Sequence, residues 1–132
     1  MTEIISTIKS LTNLLPLKAA TDVDITDAEL QLRVSFSEDY KEYLCTFGAI
    51  LADGIELTGI ANSEHRNVVL VTKQERGLNA EVPHSMYVIE NTYIDGIIIW
   101  QDSEGIVYQS SPNSKPEQIA KSLSEYVSAR IK

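Results

Sequence analysis

A helix, a stop and a strand are written into residues 36–60, FSEDYKEYLCTFGAILADGIELTGI, and no other stretch of the chain limits its fold as much. Ser37 is placed to N-cap, its hydroxyl accepting from a free backbone N–H, and Glu38 and Asp39 set negative charge against the positive end of the helix dipole. Tyr40, Tyr43, Leu44 and Phe47 then recur at three- and four-residue spacing, so three aromatics and a leucine share one face. Gly48 is the natural stop, because glycine enters a positive-φ C-terminal conformation without a Cβ clash. Ala52-Asp53-Gly54 reads as a turn, and IELTGI after it alternates as a strand does. The nucleus is therefore a helix docked on the sheet it feeds, with Tyr40 and Phe47 in the core.

The remaining elements divide between helix and strand. Ile4, Ile5, Ile8, Leu11 and Leu15 form an apolar stripe at helical period, with Thr2 as N-cap, Glu3 in the first turn and Pro16 as terminator, which predicts a helix over about residues 2–14. An acidic loop follows, and Thr26 with Glu29 makes a capping box for a short second helix. Residues 67–76 are ambiguous: Val68-Val69-Leu70-Val71 favours a strand, while Val68, Val71, Thr72 and Glu75 share a helical face. From Met86 the pattern is β: MYVIE, IIIWQD and IVYQS, separated by turns at residues 93–96 and 103–105, form a meander. Residues 97–100 are apolar on both faces, which marks a strand covered from both sides. Ser114, Pro116 and Glu117 read as the start of a last helix whose stripe is Ile119, Leu123, Tyr126, Val127 and Ile131. The chain, residues 1–132, is thus read as one α+β domain, an antiparallel meander flanked by four to five helices.

Charge and composition narrow the function. Nineteen acidic against eleven basic residues give a formal charge of −8 with no Lys/Arg cluster, so direct nucleic-acid binding, which draws its affinity from phosphate contacts, is disfavoured and a basic partner is favoured. No apolar run reaches the length of about 20 residues that a membrane span needs. The N-terminus lacks a signal-peptide pattern, so a cytoplasmic protein is expected. The single cysteine, Cys45, lies on the aromatic helix and is expected to be a small buried hydrophobe.

Nothing in the chain spells out chemistry. His65 and His84 have no ligand partners at zinc spacing, and Asp22, Asp24 and Asp27 lack the glycine and distal glutamate of a calcium loop. The six glycines are isolated, so no phosphate-cradling loop exists. Adjacent acids such as Glu38-Asp39 or Asp102 with Glu104 have local roles at a helix start and a turn. Tyr87, Tyr93, Trp100 and Tyr108 cluster in the sheet region without interleaved basic residues, and read as core or as anchors of a protein interface. No enzyme activity, cofactor or metal is expected.

In order, FSEDYKEYL closing on Gly48, the strand ending LTGI, NVVLVT through Arg76, VPHSMYVIEN, the IDGIIIWQDSEGIVY hairpin and a final helix carrying SLSEYV resemble the SUKH superfamily. That group includes the fungal cell-wall-assembly regulators and many bacterial immunity proteins, among them small Bacillus-type ones. Phe36-Ser37 stands where the family usually has Leu-Pro. The resemblance implies a helix over residues 67–76, and it implies a non-enzymatic protein that binds a toxin, commonly a nuclease, and blocks it; a regulatory scaffold is the alternative. For the docking surface, Asp53 and Glu56 beside the first strand, and Asp95, Asp102 and Glu104 in the meander turns around the Trp100 strand, offer carboxylates around aromatic anchors for a basic toxin domain. The competing readings are that these are ordinary turn acids, or that the partner meets the acidic stretch from Asp22 to Glu29. Oligomeric state is left open.

Overall fold

The computed structural model describes residues 3–130. Within them the chain runs α1 (Glu3–Lys9), β1 (Leu15–Pro16), α2 (Asp22–Leu32), α3 (Glu38–Phe47), β2 (Ile50–Ala52), β3 (Ile55–Leu57), a 3₁₀ turn (Glu64–Arg66), α4 (Val68–Leu78), β4 (Tyr87–Asn91), β5 (Ile98–Gln101), β6 (Val107–Ser110), β7 (Glu117–Ala120) and α5 (Leu123–Arg130). The strands form two antiparallel sheets, β1-β2-β3 and the meander β4-β5-β6-β7. The fold is α+β.

The organising stretch folds as helix, stop and strand, with the strand confined to Ile55–Leu57 and preceded by β2 at Ile50–Ala52, which its sequence did not announce. Ser37 Oγ accepts from Tyr40 N at 3.2 Å, and Tyr40, Tyr43, Leu44 and Phe47 are buried. Gly48 has φ 73°, and a Cβ there would stand 2.0 Å from the Lys18 carbonyl oxygen, so both conformation and contact demand glycine. Phe36, Tyr40 and Tyr87 pack with ring centroids 4.7–5.1 Å apart. Tyr43 Oη donates to the Thr58 carbonyl at 2.7 Å and accepts from Ile50 N at 3.1 Å, which ties the helix to the sheet through one phenol. Burial pushes both the Tyr40 and the Tyr43 phenol above the ordinary tyrosine value.

The meander is covered on both faces. Tyr87, Ile89, Ile99 and Val107 join the main core with α1, α3 and α5, while Val88, Ile98 and Trp100 pack with Val71 of α4, Val82 and Met86 on the other. That accounts for an apolar run that does not alternate. Residues 68–78 are helical, capped by Asn67, whose Oδ1 accepts from Val69 N and Leu70 N. Here side-chain packing and the cap override the β propensity of the valines. Glu90 is buried beneath α5 and accepts from Glu56 N at 2.9 Å, from the Tyr126 hydroxyl and from Arg130, joining β3, β4 and α5.

Outside residues 36–60, four boundaries differ from the sequence reading. α1 ends at Lys9, where Ser10 N and Leu11 N bond back three residues to Thr7 and Ile8, and Asn13 takes φ 56° to swing the chain into β1. Ile4, Ile8 and Leu11 are buried as expected, but Leu15 is exposed on an edge strand that tolerates Pro16. Thr2 and Ile131 lie outside the described residues. α2 starts five residues early, with a reciprocal Thr21/Asp24 capping box, while Glu29 accepts from Phe36 N at 2.8 Å. Residues 117–120 are not helix but β7, paired with β6, because the meander edge takes up their backbone groups. α5 begins only after Ser122, whose Oγ accepts from Glu125 N at 3.0 Å, while Asp39 Oδ2 accepts from Leu123 N at 2.8 Å. Cys45 is exposed, not buried: it sits off the aromatic face of α3.

Candidate functional site

Consecutive turns of an antiparallel meander lie at opposite ends of the sheet, so the expected rim of carboxylates does not form. Asp95 stands in the β4–β5 turn, and Asp102 and Glu104 stand at the far end of β5. Asp102 closes its own hairpin, accepting from Glu104 N at 3.0 Å, Ile106 N at 3.1 Å and the Tyr108 hydroxyl at 2.9 Å. Glu104 and Asp53 are exposed, the latter accepting from Asn13 Nδ2 at 2.9 Å, and Glu56 faces Arg66 Nε at 3.8 Å. Trp100 offers no anchor at the surface: it is 0% exposed and its indole N–H donates to Ser110 Oγ at 2.9 Å.

What the fold builds instead is a groove between α4 and the end of the meander that carries Asp95. A cavity of about 480 Å³ opens there, with Glu75 and Leu78 of α4 on one side, Tyr93 and Gly96 of the β4–β5 turn on the other, and Ile98 in the floor. Glu75 points to it because residues 71, 72, 75, 78 and 79 lie on one face of α4, and Val71 and Thr72 are buried against the sheet.

The turn is held in an uncommon shape. Tyr93 and Asp95 have φ 57° and 53°, conformations that cost about 1 kcal/mol or more each for residues with a Cβ. Side chains below them compensate: Asn91 Oδ1 accepts from Tyr93 N at 2.9 Å, and Thr92 Oγ1 accepts from Ile94 N at 3.2 Å and donates to the Ile97 carbonyl at 2.8 Å. Tyr93 and Ile94 are thereby presented to solvent, 64% and 63% exposed. Pro112 buttresses the turn from beside it, packed so closely that a Cβ on Gly96 would meet its Cγ at 2.8 Å.

The electrostatics of the groove are one-sided. Asn79 spends its amide on the Ser111 and Ser114 carbonyls and on Glu81 N. Arg76, next to Glu75 in sequence, turns away to the Leu32, His84 and Met86 carbonyls. Among the described residues the Glu75 carboxylate has no ion-pair or hydrogen-bond partner, and no Lys, Arg or His lines the cavity. Burial lifts the Glu75 carboxyl above its ordinary value, and the Tyr93 phenol is raised by burial and then by the charges of Glu56 and Glu75.

A second exposed apolar surface runs along α2. Val23 and Leu30 are 77% and 72% exposed, two turns apart, with Asp22, Thr26 and Asp27 around them, and Leu70 of α4 is half-exposed across an adjoining groove. Among the described residues no group of three or more His, Cys, Asp and Glu side chains is placed to hold a metal ion, and no helix is long and apolar enough to cross a membrane. Sequence reasoning had singled out Tyr93 among the sheet aromatics and Glu75 on the α4 face, but nothing in the order of residues places the two on facing walls.

Across residues 1–132 the chain matches the SUKH_5 family model, described as SMI1-KNR4 cell-wall. A protein of Pseudomonas syringae pv. tomato, known from a crystal structure, is similar in fold, with a TM-score of 0.76 and 17% sequence identity over 97% of this chain and 96% of that one. No curated protein sequence gives a significant match.

Proposed function

The chain belongs to the SUKH superfamily, through its SMI1-KNR4 cell-wall branch, and from that membership we propose that it is a cytoplasmic immunity protein that binds a toxin domain and blocks it without chemistry of its own. The toxin is a basic one, and a nuclease, whose own substrate demands positive charge, fits best. The observation that carries this reading is the β4–β5 turn: backbone strain is maintained to hold Tyr93 and Ile94 in solvent beside an unpaired carboxylate. Exposed aromatic and aliphatic anchors ringed by charge are what a protein interface uses, the anchors for affinity and the acids for rapid encounter. Occlusion of an active site needs only an interface of standard size, roughly 1,600 Å² in total.

The test is co-purification with the toxin encoded beside its gene, followed by titration of the toxin's activity. Loss of activity at one-to-one stoichiometry is the expected result; a toxin that stays fully active in saturating protein refutes the proposal. A second reading, a regulatory scaffold, is favoured by the α2 surface, because an adaptor needs two faces and Val23, Leu30 and Asp27 supply one apart from the groove. Several co-purifying partners that bind together would select it over a single toxin.

A further inference from the structure

We propose that the groove between α4 and the β4–β5 turn is a receptor for one arginine side chain of the partner, with Glu75 as counter-ion and the Tyr93 ring as the face on which the guanidinium lies. The inference rests on the binding reading above only for the protein that supplies the arginine. Three observations converge on it. The cavity, about 480 Å³, is wide enough for a long side chain and is walled by apolar groups of Leu78, Ile98 and Pro112 that suit a methylene stem. Of its polar wall groups, Asn79, Asn91, Trp100 and Ser110 already make side-chain hydrogen bonds within the protein, and Glu75 is the one charged acceptor among the lining residues. Tyr93 is exposed at the mouth, in the field of Glu75 and Glu56, where a cation is attracted both to carboxylate and to π face.

Guanidinium suits the site better than ammonium. It is planar, so it stacks on a ring, and it is more weakly hydrated, so it enters a partly apolar cavity at lower desolvation cost. A carboxylate held half-buried without a cation loses solvation in the free protein, and a guest cation removes that penalty. An anionic guest would be repelled by the carboxylate, and a neutral donor could hydrogen-bond to it but would bring no countercharge.

The experiment titrates N-acetyl-arginine-N′-methylamide into the full ¹⁵N-labelled chain, with the citrulline and lysine analogues as probes of charge and shape. Saturable shifts at Tyr93, Gly96 and Asn79 with a dissociation constant of order millimolar are expected for arginine. Glu75→Gln should weaken binding about tenfold or more, the loss of one charged hydrogen-bonding partner. Tyr93→Asn, which keeps a residue tolerant of positive φ while removing the ring, should weaken it several-fold by loss of the stacking surface. Absence of saturable shifts with spectra showing a folded protein, equal binding of citrulline, equal binding of lysine, or an unchanged constant in Glu75→Gln each overturns the assignment. The toxin titration reads separately: a chain that takes arginine but spares the toxin refutes the immunity proposal alone, and one that blocks the toxin equally well as Glu75→Gln refutes the arginine receptor alone.

Discussion

The clearest test of how α3 is fastened to the sheet is to remove one oxygen. In Tyr43→Phe the ring stays in place, fully buried, while the Thr58 carbonyl loses its donor and Ile50 N loses its acceptor. Each buried group left unsatisfied costs about 1–3 kcal/mol, so the pair sums to about 2–4 kcal/mol once some relaxation is allowed. Tyr40→Phe is the internal control. It loses a single bond, from Tyr40 Oη to Thr58 Oγ1 at 3.0 Å, and Thr58 Oγ1 keeps its donation to the Val88 carbonyl at 2.8 Å. Its cost should stay at about 0.5–1.5 kcal/mol. Urea unfolding followed by tyrosine and tryptophan fluorescence, with equal slopes for both variants and the parent, measures the two losses on one scale. If Tyr43→Phe costs no more than Tyr40→Phe, the phenol is not the fastening described, and the packing of its ring carries α3 instead.

Three other outcomes follow from single contacts. Phe47→Ala, at the C-terminal end of the same buried face, should cost about 3–5 kcal/mol in the same titration, and a loss under about 1 kcal/mol would mean the face is not packed. Cys45, being exposed, should react with a disulfide reagent in the native protein to one equivalent without a change in melting temperature; reaction only in denaturant would return it to the core. Glu75→Gln should raise the melting temperature at neutral pH, because the carboxyl is raised in the folded state and its ionised form is therefore disfavoured there; Tyr93 across the groove adds no cation to offset this. The gap between variant and parent should close as pH falls through the raised value and below the ordinary glutamate range, where the carboxyl is protonated in both states, and a gap that widens in acid would reverse the sign assigned to Glu75.

The stretch from Phe36 to Ile60 was legible because its signals are local: a cap, a periodic face, a positive-φ glycine and a turn all lie within a few residues of what they govern. The meander was legible for the same reason. Where reading failed, a local signal met a longer-range claimant. Ser114-Lys115-Pro116-Glu117 has the form of a helix start, but β6 needed a partner for its free edge, and β7 supplies it. The cap that operates is the later Ser122, whose Oγ accepts from Glu125 N, joined by Asp39 from 84 residues upstream, and no window of sequence reveals that second member. Thr21 and Thr26 both precede an acid by three residues, and only the burial of Ile25, Ala28 and Leu32 shows which frame puts the apolar face inward.

The same strand explains why the groove was out of reach of sequence reasoning. Because residues 117–120 return alongside β6, the link between β6 and β7 must turn back at the end of the sheet where the β4–β5 turn also lies. That juxtaposition sets Pro112 against Gly96 and lets Asn79 of the α4 C-cap hold the Ser111 and Ser114 carbonyls. A helix at 115–120 would have left that end of the meander open, and the turn that carries Tyr93 would have had no Pro112 beside it. The strained turn is held for a physical reason: its two left-handed residues link β4 to β5, whose far ends are locked into the Tyr87, Gln101 and Asp39 hydrogen-bond chain. A rigid sheet below and a fixed wall beside it keep Tyr93 in one place, and a binding group that does not have to be ordered on contact retains more of its interaction energy as affinity.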